Sequence, residues 1–545
     1  MIHYFWHAAH SKQAPGAPGE RAVPGAAIAL LAMALVSFMV ASDITSLGII
    51  LPKIEAQFDA EVSTAQWVVN AYALVFGMLI VAGGRLADLL GRRRMLFIGI
   101  AIFGGASIIA GAAPGVFWLI GARALMGVGG ALLWPPVISI SYSILPKSKA
   151  ALAGGIILGA AGLGAASGPL IGGSLAEFAS WRWVLLVNVP VVVLVVAIVW
   201  LKVRIPRLPS GHERIDYAGV ATLSISLLAL LLALDQAADW GFGDYRIIGL
   251  LVLAVLLLAV FVVIERHARD AALIPGNLLR ERTLSSALLA RILIAGAWFV
   301  ALVYLPGFME KVYGYSPLEA GLGMLPMMLG YAVIAFAAGP LYPRVGAKLM
   351  GTVGVAAIVI GSALLLPLTP YSGYLALVPG LVLLGIGYGL CATAFNTAGV
   401  MAVPAEHASL AGAMLYMCQL VGGSVGLGGA TTILTVTAAD HVRAAGVAQV
   451  LNVSQLHAVA RVLAGGETGR ALLAQFPHSA GALENLAREA FTIGLRHALV
   501  LVIVLGIFSV IVAVLFLGRW RSSAAKKSVS ADAGRADANQ PTLSE

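Results

Sequence analysis

Charge is scarce in this sequence of 545 residues: Asp, Glu, Lys and Arg together make up 11%, where soluble globular chains carry about a quarter. Water is therefore the wrong solvent for most of the chain. Cysteine is scarcer still. Cys391 and Cys418 are the only two and both lie inside apolar segments, which excludes a disulfide framework or a CxxC metal site and leaves packing roles. The histidines are isolated, and neither an HExxH run nor a GxxxxGKS/T phosphate loop occurs. That argues against a membrane enzyme, a metal site or an ATP-driven pump, and no cofactor is expected. The alternating segments of about ten residues that mark a membrane β-barrel are also missing.

What is present is hydrophobic residue, 60% of the chain, in runs of the roughly 20 residues needed to cross a bilayer. Uniformly apolar runs must satisfy their backbone internally, so the expected class is all-α and polytopic. Fourteen helices are expected near 26–51, 66–84, 95–113, 116–136, 151–176, 183–203, 217–236, 246–265, 284–309, 317–340, 349–368, 372–395, 407–435 and 497–517. An even number puts both termini on one face. Of the 34 Lys and Arg residues, 23 fall on that face, which identifies it as cytoplasmic by the positive-inside rule. The net charge of +9 is thus a matter of orientation rather than of nucleic-acid binding. Residues 1–25 lack a cleavable apolar core and read as a cytoplasmic tail. Residues 26–203 form a first six-helix bundle, 204–270 an inserted pair and 271–520 a second bundle. Within the second bundle, 436–496 reads as a long extracytoplasmic loop with short helices, and 521–545 as a disordered cytoplasmic tail.

The chain repeats itself. Gly84-x-Leu86-x-Asp88-x-x-Gly91-Arg92-Arg93-Arg94 recurs as Gly339-x-Leu341-x-Pro343-x-x-Gly346-Ala347-Lys348, at an offset of 255. Arg123 to Gly127 and Gly129 match Leu381 to Gly385 and Gly387, and Gly164-xxx-Gly168-Pro169 matches Gly422-xxx-Gly426-Leu427, both at 258. Helix n thus pairs with helix n+8, as in two homologous halves arranged 6 + 2 + 6. The glycines recur as packing requires. Asp88, Arg123 and Pro169 do not, which marks them as functional.

With these motifs the chain resembles the major facilitator superfamily, in its 14-helix drug:proton antiporter branch, the QacA/EmrB-like multidrug efflux transporters. The resemblance covers residues 26–520. It is carried by the loop from Gly84 to Arg94, by GLGAASGPLIGG with Gly164, Gly168, Pro169, Gly172 and Gly173, by Asp43-Ile44-Thr45, and by the stretch from Trp181 to Pro190. The family often places Gln where this chain has Met126. The resemblance implies a secondary active exporter of small amphipathic, often cationic compounds, driven by the proton gradient at the cell (inner) membrane. It leaves room for a periplasmic adaptor in an organism with two membranes. An exporter or importer of a native metabolite, siderophore or lipid on the same fold remains an alternative reading.

Asp43 and Arg123 lie at matching depths on helices 1 and 4 and are expected to be partners. They read either as a closed structural pair or as the proton-coupling site. Gly84, Asp88, Gly91, Arg92 and Arg93 form a loop too far from mid-membrane to touch cargo, and read as a conformational latch. The glycines around Pro169 read as a smooth helix face that either seals against leak or simply packs. Candidate cavity residues are Asn70, Tyr72, Trp298, Tyr304, Asn396 and Gln419, whose aromatic members would suit bulky apolar cations. Arg291 is expected to snorkel to the interface.

Overall fold

A computed structural model describes residues 25–202, 216–241, 243–268, 272–449 and 479–516. Residues 1–24 of the tail expected at 1–25, all of the tail expected at 521–545 together with 517–520, residues 203–215, and the centre of the long loop, 450–478, lie outside the described residues. Among the described residues the regular structure is entirely helical, as backbone in a hydrocarbon solvent demands. Among the described residues thirteen helices are long and apolar enough to cross a membrane, and one of them, Pro317–Leu364, runs for 48 residues. That helix is broken at Gly346, whose φ of 79° is left-handed and non-helical, so it makes two passes.

In chain order the passes are α1 Ala26–Phe58, α2 Val62–Leu90, α3 Arg92–Gly111, α4 Val116–Ser143, α5 Ala150–Phe178, α6 Trp181–Leu201, α7 Tyr217–Trp240 and α8 Tyr245–Ala268. They continue as α9 Arg282–Lys311, α10 and α11 on either side of Gly346, α12 Val378–Met401, α13 Ala408–Gln449 and α14 Ala480–Phe516. We call the face on which α1 begins and α14 ends the tail face, and the opposite one the distal face.

Several boundaries differ from the sequence expectation. Helix α1 does not stop at Pro52 but carries it to Phe58, and α4 continues through Pro135 and Pro136 to Ser143. Neighbouring helices can support the backbone groups that a proline frees in a membrane helix. Residues 436–449 and 480–496, expected as loop, are instead continuations of α13 and α14, which have 42 and 37 residues. Both exceed the roughly 20 residues of a bilayer crossing. Polarity ended the apolar runs there but did not end the helices.

The sequence repeat is a repeat of contacts. A Cβ on Gly127 would strike the Tyr72 carbonyl, and one on Gly385 the Met327 carbonyl, 255 residues later. Gly129 sits against Gly99 as Gly387 sits against Gly354. Gly91 and Gly346, at equivalent positions, are both left-handed, with φ 100° and 79°. Each turns the chain from one helix directly into the next, a conformation that side chains with a Cβ adopt only at a cost.

Helices α5 and α10 touch along their length. Gly155 lies against Gly339 near the tail face, Gly162 against Tyr331 and Ala332 midway, and Gly173 and Pro169 against Leu318 and Gly321 near the distal face. On the tail face the first and second sets of helices are also joined by Tyr142 to Thr397 at 2.9 Å and Ser409 to Ser139 at 2.7 Å. That face is closed.

Candidate functional site

The first site is built from five helices, α1, α2, α3, α4 and α6. Asp43 of α1 is 2% exposed and Arg123 of α4 is fully buried. Arg123 Nη1 donates to Asp43 Oδ2 at 2.6 Å. The second carboxylate oxygen accepts from Asn188 Nδ2 of α6 at 2.9 Å, and Asn188 in turn lies 3.3 Å from Ser107 Oγ of α3. Arg123 also donates from Nε to the Val68 carbonyl at 3.0 Å, and Nη1 lies 3.5 Å from Met126 Sδ. Its Cζ stands 4.5 Å from the Tyr72 ring centroid. Insertion of one such charge at a helix centre costs about 2.5–3.5 kcal/mol, and here each charge is offset by the other and by neutral dipoles. Asp43 offers no free oxygen in this conformation.

Asn188 and Ser107 were not among the candidates read from the sequence. Their signal was present, since each is a polar residue inside an otherwise apolar run. Only the convergence of α3 and α6 on α1 shows what they serve. Asp235 of α7 was missed for the same reason; it accepts from Asn70 Nδ2 at 2.8 Å and from Gln236 Nε2 at 2.9 Å.

A second cluster lies on the tail face. Asp88, at the end of α2, accepts from the backbone N–H groups of Ser409 at 3.2 Å and Leu410 at 2.9 Å, the first turn of α13. Those N–H groups lack partners within their own helix, and the helix dipole makes their end positive. Arg92 sits 3.4 Å from Asp88 Oδ1 and donates to the Ala405 carbonyl. Gly84 lets α13 approach, since a Cβ there would strike Ala413 and the Ser409 carbonyl. Gly91 supplies the turn. Arg93 stays outside the cluster, its Cζ 5.6 Å from the Phe97 ring.

The helix α5 glycines form a seam against α1. Cβ atoms on Gly164, Gly168 and Gly172 would meet the carbonyls of Phe38, Ser42 and Ser46. Both series step by four residues, so one helix face lies directly on the other, beside Asp43. Gly173 and Pro169 face α10 instead.

The sequence pattern of the Major Facilitator Superfamily matches residues 33–427. This chain belongs to that superfamily. Among its relatives are the puromycin resistance protein pur8 of Streptomyces alboniger, 34% identical with 74% of this chain and 81% of the relative covered, and the cephamycin export protein CmcT of Amycolatopsis lactamdurans, also 34% identical, covering 76% and 85%. The multidrug resistance protein Stp of Mycobacterium tuberculosis is 28% identical and covers 91% of each chain. An inward-facing bacterial homologue of the human lysosomal transporter Spinster shares the fold, with a TM-score of 0.57 at 18% identity over 92% of this chain and 99% of that one. The chain is a transporter of the drug-efflux branch and not an enzyme.

The six candidate cavity residues of this facilitator do not share one set of partners. Tyr72 underlies Arg123, and Asn70 reaches α7. Tyr304 donates to Thr431 Oγ1 at 2.5 Å, and Asn396 turns back to the Ala392 carbonyl of its own helix at 2.8 Å. Trp298 stacks on Tyr388 with centroids 4.2 Å apart, and Gln419 accepts from Arg291. Arg291 therefore corrects the sequence reading. It does not snorkel to an interface but is 3% exposed, because α12 and α13 cover the face of α9 that carries it.

Proposed function

We propose that this facilitator is a proton-driven exporter of small amphipathic, often cationic molecules, working by alternating access from the cytoplasm outward. The observation that carries the reading is the buried Asp43–Arg123 pair, whose acid is fully engaged by Arg123 and Asn188. Relatives named for puromycin resistance and cephamycin export support export of antibiotic-like compounds. The excess of Lys and Arg supports a cytoplasmic tail face and both termini inside the cell membrane.

When the distal side opens, water and a proton reach Asp43; the proton bonds to a carboxylate oxygen and the charge-assisted contact to Arg123 is lost. Cargo leaves in that step. When the tail side opens, Arg123 again favours the carboxylate, the proton departs to the cytoplasm and the next molecule loads. Asp88 holds the tail side shut by binding the start of α13, so its release belongs to the inward-opening half of the cycle. The α5 seam keeps protons from slipping past α1 while either side is open. No cofactor enters, and the gradient is the energy source.

The test uses everted membrane vesicles with a preformed proton gradient. Addition of ethidium to vesicles holding the wild type should release protons in proportion to dye accumulated. Asp43→Asn should bind dye yet release none. Uphill accumulation by Asp43→Asn with its pH dependence intact would remove Asp43 from coupling.

A further inference from the structure

Among the described residues four arginines are buried, Arg85, Arg92, Arg123 and Arg291, and two of them, Arg123 and Arg291, are treated differently. Arg123 has a carboxylate, whereas among the described residues no Asp or Glu lies within 4.0 Å of the Arg291 guanidinium. One contact is made, from Nη2 to Gln419 Oε1 at 2.5 Å, while the N–H groups at Nε and Nη1 are buried and without a partner. The Tyr388 hydroxyl is buried and unpartnered as well, and Arg291 Cζ stands 5.3 Å from that ring.

The surroundings are aromatic and belong to the seam between the two sets of helices. Tyr388 and Tyr331 both pack on Trp298. Tyr331 also faces Gly162 of α5. Tyr416, three residues before Gln419 on α13, packs edge-on against Phe76 of α2 and tilted against Trp134 of α4, at 5.2 and 5.1 Å. A small apolar cavity of about 10 Å³ shares Trp298 and Tyr388 and adds Met327 and Leu384, so these side chains must part to admit a larger group. Buried cations are retained where a counter-charge or full hydrogen bonding compensates them, and among the described residues Arg291 has neither. A cationic group placed beside it would be repelled, whereas an oxyanion would take up the unspent N–H groups.

We infer that Arg291 is the recognition point for an acidic group, a carboxylate or comparable oxyanion, on the transported molecule, with Trp298, Tyr331 and Tyr388 receiving its apolar body. Cargo then includes amphipathic acids and zwitterions besides cations. That the bound acid is cargo rests on the exporter reading; the pairing itself is measurable without transport.

Equilibrium binding to the detergent-purified full chain tests it, with dansylglycine and 1-pyrenebutyric acid each compared with its methyl ester by energy transfer from tryptophan. Wild type should prefer the acids about tenfold or more, a difference expected when a charge-assisted contact is lost. Arg291→Gln should bring each acid to the level of its ester while leaving ester binding in place. Gln419→Glu, which supplies Arg291 with a carboxylate of its own, should do the same with the arginine retained, and it answers the question if Arg291→Gln fails to fold. Equal binding of acids and esters by wild type overturns the proposal, as does an acid preference that survives both substitutions. If chloride, but not gluconate, displaces the acids from wild type and stabilises it alone, Arg291 is an inorganic-anion site and the cargo assignment falls. An acid preference without proton-linked movement in everted vesicles leaves the pairing standing and removes the exporter reading instead.

Discussion

A carboxylate buried in a membrane protein is defined by what touches each of its oxygens. Asp43 has Arg123 on one and Asn188 on the other, so loss of either partner leaves a different remainder. Arg123→Ala strands a buried carboxylate and should destabilise the protein by about 3–5 kcal/mol, whereas Asp43→Asn combined with Arg123→Gln should cost distinctly less because no lone charge remains. Thermal unfolding in detergent measures both; equal losses would mean that the pair is not the main interaction at this point. Asn188→Ala removes one hydrogen bond to a charged group and should cost about 1.5–3 kcal/mol in the same assay. The partnership of Asp43 and Arg123 was legible in the sequence because charges in apolar runs are rare enough to single out. Asn188 was not, since a single uncharged amide inside an apolar run has many ordinary uses.

At the scale of helices, glycine does two separate jobs that substitution should separate. Gly164, Gly168 and Gly172 permit contact between α5 and α1, and a methyl group on Gly164 would collide with the Phe38 carbonyl. Gly164→Ala should therefore cost about 1–3 kcal/mol through overpacking. Gly48, also on a helix, has nothing within 4 Å of its missing Cβ. Gly48→Ala should stabilise by up to about 1 kcal/mol, because alanine loses less backbone freedom in a helix. A destabilised Gly48→Ala would show that α1 contacts something on that side. Gly91 and Gly346 are open around their Cβ positions too, but their φ of 100° and 79° makes alanine costly by about 1–2 kcal/mol without any clash. The spacing of these glycines was visible in the sequence repeat. Which of them serve contact and which serve a turn depends on dihedral angles and neighbours that spacing does not specify.

For the molecule as a whole, the question is what keeps the tail face closed. Asp88 grips the first turn of α13 through two backbone N–H groups, and Gly84 rests on Ala413 beside them. Asp88→Asn removes the negative charge that the helix start attracts, so the closed state should lose population. In a background with Cys391 and Cys418 replaced by alanine, Ala413→Cys should react slowly with a maleimide and severalfold faster when Asp88→Asn is added. An unchanged rate would mean that Tyr142, Thr397 and the α5–α10 contact hold this face without Asp88. The sequence directed attention to Asp88 because its repeat counterpart is Pro343. It did not name Ser409 and Leu410, which lie more than 300 residues away and contribute backbone rather than side chain.

The sequence by itself determined the solvent, the helical class, the number of passes and the doubled architecture, because hydropathy, glycine spacing and the repeat are written along the chain. The tertiary structure decided which charges are satisfied. Asp43 acquires two donors and Arg291 remains short of an acceptor for a reason no run of residues contains: burial and partnership are set by helices that arrive from elsewhere in the chain. The membrane makes that difference matter, since a polar group there has only the protein or its cargo to bind.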